Sequence, residues 1–208
     1  MSRLLSLAFA GLIWIVCVGC AGTYRYTHFP INSNVSGTYP VYVDKRLSGD
    51  DVEIDAAIAA WNYALNGKMA LTVVDWSFDM DPTEQQEAIS RNGFLILRID
   101  GDNPTIPDSA PGYWTLGFVP AIGNHWIYLV RQRVDYRRIK YLTMHEIGHA
   151  LGARHRQSGL MSRYYNSGYK CVDYLTVEQV AAYMGWDVGG MNYCLPDGSE
   201  HIGGPIID

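Results

Sequence analysis

Between Tyr141 and Ser162, in the stretch YLTMHEIGHALGARHRQSGLMS, stand His145, Glu146, His149, Gly152 and His155. Histidines four apart share one face of a helix. Their imidazoles can then converge on a single ion at about 2.0–2.1 Å each. Glu146 is one residue on, rotated about 100° around the axis. That puts it beside the ion rather than on it, where it can take a proton from a water. Gly152 can close the helix, because glycine enters the left-handed region without steric penalty. The chain then turns back, and His155 supplies a third nitrogen. Three protein ligands leave a fourth position open for water, which is the catalytic rather than the structural arrangement of zinc. The expectation is one catalytic Zn2+, held by His145, His149 and His155, with Glu146 as general base.

The pattern HExxHxxGxxH, read from His145 to His155, resembles that of the metzincin metallopeptidases. The resemblance extends to Gly159-Leu160-Met161-Ser162, which looks like the family's Met-turn. It follows His155 by only six residues, as in the matrixin branch. The likeness covers residues 38–186 loosely and residues 145–162 sharply. It implies a zincin-like α+β fold with one twisted mixed sheet, an active-site helix and two further helices. It also implies a hydrophobic floor at Met161 that does not ligate zinc, and an edge strand TLGFVPA that pairs with an extended polypeptide substrate. Matrixins usually carry Pro two residues after the Met, where this chain has Arg163. Tyr164 and Tyr165 stand one and two residues beyond the tyrosine that some metzincins use as an extra zinc partner.

Several elements must position these residues. TYPVYVDKRL (residues 38–47) alternates and reads as a strand. In residues 48–67, Ile54, Ile58, Trp61 and Leu65 recur at helical spacing, so Trp61 faces the core. MALTVVDWSF, FLILRID, TLGFVPA and HWIYLV read as strands, the second buried by its continuous apolar run. DPTEQQEAISRNG reads as a polar connection with room for a helical turn. GDNPTIPDSAPGYW reads as a loop. The active-site helix starts near Asp135. A last helix, TVEQVAAYMGW, is expected to start at Thr176 as N-cap, with Gln179 completing a capping box. Asp100, Asp102 and Asp108 in the loop are candidates for a structural Ca2+, although their spacing matches no calcium motif. His28, His125 and His201 read as surface or packing residues.

The chain has 208 residues, enough for one domain with a real core, and 48% of them are hydrophobic. A net charge of −5 without a basic stripe gives nucleic-acid binding no electrostatic support. MSRLLSLAFAGLIWIVCVGCAG reads as a secretory signal over residues 1–20. Its apolar run is short for a membrane span, which takes about 20 residues. Val18-Gly19-Cys20-Ala21 resembles a bacterial lipobox, with Cys17 where Leu is usual. Cys20 is therefore the candidate for lipidation and membrane attachment, and ordinary cleavage with release is the alternative. The expected location is the cell envelope, as an outer-membrane lipoprotein, or the exterior. Residues 21–37 read as a leader and residues 38–208 as the domain. Outside the cytoplasm, Cys171 and Cys194 are expected to form a disulfide.

The function expected is that of a zinc endopeptidase acting through a zinc-bound water. Two alternatives stay open. One is a non-catalytic envelope binding protein, for which Glu146 would have no use. The other is hydrolysis of cell-wall peptides, which would use the same chemistry. The S1′ wall is expected from residues 162–172, rich in tyrosine at Tyr164, Tyr165 and Tyr169.

Overall fold

The structure, a computed structural model, describes residues 37–79, 81–164, 171–195 and 199–203. The signal segment with Cys20, His28 in the leader, and Tyr165 and Tyr169 lie outside the described residues.

Five strands form the main sheet in the order β2-β1-β3-β5-β4. Strand β1 (Thr38–Asp44) is linked to β2 (Ala70–Phe78) by helix α1 (Asp51–Leu65). The two strands pair in parallel, so this is a strand–helix–strand crossover. Helix α1 buries Ile54, Ala57, Ile58, Trp61, Ala64 and Leu65, one stripe at helical spacing. Asp51 and Glu53 in its first turn complement the helix dipole. Asn66 at φ 45° and Gly67 at φ +82° end it.

A second crossover passes from β2 through helix α2 (Pro82–Ser90) to β3 (Phe94–Arg98), which lies on the far side of β1. Helix α2 corrects two expectations. It replaces the polar connection, and among the described residues it raises the helices besides the one that carries His145 and His149 from two to three. Asp81 caps it, accepting from Thr83 N at 2.8 Å and Glu84 N at 3.3 Å, and Pro82 opens it. Its buried residues are Ala88 and Ile89, too few to write a periodicity into the sequence.

Helix α2 also explains the unbroken apolar run in β3. Phe94 and Ile96 point into the larger core with α1, whereas Leu95 and Leu97 join a second cluster with Ala88, Ile89 and Phe118. The strand is covered on both faces, as the run implied. Strands β4 (Gly117–Phe118) and β5 (Trp126–Leu129) complete the sheet. β5 runs parallel to β3, and β4 pairs antiparallel to β5 at the sheet edge. β4 is shorter than expected at both ends, and before it the Thr115 hydroxyl donates to Pro107 O at 2.9 Å. β1 likewise stops at Asp44, which caps the 3-10 turn Lys45–Leu47.

Helix α3 (Tyr136–Ala150) packs against α1 and β5, and α4 (Tyr174–Met184) follows the irregular segment. Asp173 rather than Thr176 caps α4. Its carboxylate accepts from Thr176 N at 3.2 Å and from the Thr176 hydroxyl at 2.9 Å. A two-stranded ribbon, β6 (Tyr193–Cys194) with β7 (Glu200–His201), is added to the single expected sheet. Cys171 and Cys194 are joined, with Cα atoms 6.2 Å apart. Among the described residues, no helix is long and apolar enough to cross a membrane.

Candidate metal centre

Helix α3 carries His145 and His149 to its last turns and then stops in a Schellman motif. Ala153 N donates to Gly148 O at 2.8 Å and Gly152 N to His149 O at 3.1 Å. Gly152 has φ +104°, and a Cβ there would run into the Tyr183 ring of α4. Glycine is therefore required twice at this position, for its backbone angle and for its lack of a side chain. Beyond it the chain reverses. Arg156 N donates to Met161 O at 2.8 Å and Ser162 N to Gly159 O at 3.1 Å, which brings His155 and Leu160 back to the helix.

Both helix histidines are oriented through Nδ1. His145 Nδ1 lies 2.7 Å from Leu160 O and His149 Nδ1 lies 2.8 Å from Ala153 O. A carbonyl only accepts, so each Nδ1 carries the proton and each Nε2 presents a lone pair. Those lone pairs converge. His145 Nε2 is 3.3 Å and His149 Nε2 is 3.2 Å from His155 Nε2. His155 can donate to one of them at most. Two nitrogens at about 2.0–2.1 Å from a tetrahedral ion stand about 3.3 Å apart. The two contacts through His155 thus have the spacing of ligands on a tetrahedral ion such as zinc, and an all-imidazole donor set suits it.

Burial sets the charges of the site. It pushes the His145 imidazole down to about 4, with the Leu160 hydrogen bond opposing and His155 adding to the effect. His149 is pushed down to about 3, by burial first and then by His145. His155 is also lowered, by burial and then by the Arg163 charge. The three are neutral at pH 7, as metal ligation requires. Burial raises the Glu146 carboxyl to about 8. Its Oε2 has no hydrogen-bond partner among the described residues. A cation beside a buried carboxyl favours its charged form, so an ion on the imidazoles lowers that value again.

Two glycines that attracted no functional reading in the sequence make room here. A Cβ on Gly117 of edge strand β4 would stand 2.9 Å from Glu146 Oε1 and 3.0 Å from Tyr128 O. A Cβ on Gly148 would stand 2.5 Å from Met161 Sδ. Met161 is fully buried, with its Sδ packed against α3 at Gly148. A glycine inside a helix costs about 1 kcal/mol against alanine, so Gly148 was a signal open to reading. Trp61, expected in the core, is fully buried and donates from Nε1 to Met144 O at 2.8 Å, tying α1 to α3 beside His145.

The other candidates lie apart. Among the described residues, the three histidines are the one group of three or more His, Cys, Asp or Glu whose ligand atoms converge. Asp100 instead accepts from Gln132 Nε2 at 2.6 Å and pairs with Arg98, so the structure lends the calcium expectation no support. His125 is buried and stacked on Phe94, with Nδ1 2.9 Å from Gly93 O. His201 stacks on Tyr193. Both are packing residues. Tyr164 is exposed, and its ring lies 4.8 Å from that of Tyr113 in the loop before β4.

No protein-family model matches the chain, and no curated protein matches it. Among solved structures, the crystal structure of archaemetzincin from Methanopyrus kandleri is similar, at 14% identity and a TM-score of 0.45, over 75% of this chain and 98% of that chain. That likeness is distant, and the chemistry of the site rests on its own residues.

Proposed function

We propose that this chain is a zinc-dependent endopeptidase of the metzincin type, with the short Met-turn gap of the matrixin branch. One observation carries the reading. Three imidazole Nε2 atoms converge at 3.2–3.3 Å contacts through His155, while His145 and His149 are held by carbonyls in the tautomer that leaves Nε2 free.

A zinc ion held there supplies Lewis acidity, polarising a carbonyl and lowering the pKa of water from 15.7 to about 7. The chain's own residues do the rest. The Nδ1–H bonds to Leu160 and Ala153 fix the orientations of the His145 and His149 rings before any ion arrives. Glu146, buried beside the triad, takes the proton of the attacking water on its carboxylate and passes it to the leaving amine. Its contact with Gly117 supports the further proposal that an extended peptide adds to the β4 edge, since such a peptide would pass the acid. Tyr164, exposed after Met161, would then stand on the rim of the S1′ pocket.

We also infer export. The Cys171–Cys194 disulfide supports an oxidising compartment, and the apolar N-terminal run supports a secretory signal, with Cys20 as the residue that would carry a lipid.

Glu146→Gln tests the mechanism. The variant is expected to retain one zinc per chain and to lose peptide cleavage by about 10²–10⁴-fold. Cleavage at the wild-type rate would remove Glu146 from the reaction. Profiling the wild-type enzyme on an unbiased peptide library beside cell-wall peptides separates the two substrate classes.

A further inference from the structure

Helix α4 lies outside the metal-binding motif, yet it grips the chain next to two of the three ligands. Its capping residue Asp173 accepts a hydrogen bond from Leu160 N through Oδ2 at 2.7 Å. The carbonyl of the same Leu160 is the acceptor for His145 Nδ1 at 2.7 Å. One turn and a half along the helix, Gln179 Oε1 accepts from Arg154 N at 2.6 Å, immediately before His155.

The approach of Asp173 to the loop is built in. Gly159 has φ +90°, and a Cβ on it would meet the Asp173 carboxylate at 3.0–3.1 Å. Any larger residue there would hold the carboxylate off the backbone. The other side of Asp173 is anchored as well. Thr176 donates to its carboxylate twice, the residue bridges to Cys194 of β6, and Cys194 N donates to Val172 O at 3.0 Å.

We propose that Asp173 is a positioning residue of the metal centre: it fixes the Leu160 peptide, which fixes the tautomer and direction of the His145 imidazole. The proposal rests on reading the three histidines as a metal centre. A carboxylate that only capped α4 would have no need to reach Leu160.

Two substitutions separate capping from positioning. Asp173→Asn keeps an oxygen in place of Oδ2 for Leu160 N but puts an NH2 group where Oδ1 accepts from Thr176 N, so it weakens the cap and spares the hold on Leu160. Asp173→Ser is a good cap, so the helix folds, but it is too short to reach Leu160 N. Zinc affinity is measured by competition with a chromophoric chelator, and histidine tautomers by imidazole nitrogen shifts in the metal-free protein. Asp173→Ser is expected to raise the zinc Kd about 10–100-fold and to mix the His145 tautomers, whereas Asp173→Asn stays close to wild type in both. A Ser variant with wild-type zinc Kd and an unmixed His145 tautomer overturns the proposal. Wild-type protein that takes up no zinc sinks the metal reading instead, and the nitrogen shifts then still decide whether Asp173 holds His145.

Discussion

Glu146 is shaped by what surrounds it as much as by its place in the motif. It is buried against Gly117, with one oxygen left without a hydrogen bond among the described residues. A methyl group on Gly117 would press on Glu146 Oε1 and on the Tyr128 carbonyl together, so the side chain must move. Gly117→Ala is expected to lower kcat by about 10²-fold, the usual cost of a 1 Å misplacement, and to leave zinc stoichiometry at one. Steady-state kinetics with metal analysis check this, and unchanged kcat would mean that Glu146 has room to spare. The convergence of His145, His149 and His155 was legible in the sequence because metal coordination demands fixed residue types at fixed spacing. Gly117 and the carbonyls of Leu160 and Ala153 were not. Their roles arise from backbone atoms, which every residue carries, or from a glycine whose identity is visible while the group it makes room for is not.

At the level of elements, the sequence spoke clearly where apolar spacing was dense. Helices α1 and α3 and the buried strand β3 follow from their stripes and runs. Helix α2 did not, since only Ala88 and Ile89 turn inward and its stability comes from the Asp81 cap and packing on the sheet. The start of α4 was misread for a related reason. Thr176 and Gln179 have the types of a capping box, but the Asp173 carboxylate was free to serve three donors, and Gln179 is taken by Arg154 N. The disulfide ties Cys171, two residues before that cap, to β6. Replacing both cysteines with serine is expected to cost about 3 kcal/mol, because the 23-residue separation closes a loop of moderate length. Urea unfolding measures it, and a loss below about 1 kcal/mol would show that the unfolded chain is already constrained there.

At the level of the whole molecule, the buried site makes the stability of the metal-free protein depend on pH in two directions. His145 and His149 titrate at about 4 and 3 when folded, against about 6.5 when unfolded. The stability they contribute is present above pH 6.5 and is lost as pH falls, since the unfolded chain then binds protons that the folded one refuses. Glu146 acts in the opposite sense. Its folded value of about 8 lies above its unfolded value of 4.5, so its contribution is lost as pH rises toward 8. Between 4.5 and 6.5 the two histidines outweigh the one acid. Unfolding free energy without metal is expected to peak near pH 6.5 and to fall on either side, with each group contributing at most about 1.4 kcal/mol per pH unit. Denaturant titrations in chelator at several pH values test this, and a monotonic rise through pH 8 would contradict the burial of Glu146.

Metal content decides the central claim most directly. Folded, tag-free protein, purified without chelator and dialysed against zinc-free buffer, is expected to hold one zinc per chain by elemental analysis. Its X-ray absorption should show three nitrogen neighbours at about 2.0–2.1 Å and one further light atom. Replacing His149 with alanine should abolish that zinc while the fold persists. A correctly folded wild-type chain with no transition metal, and none taken up when zinc is supplied, would contradict the account.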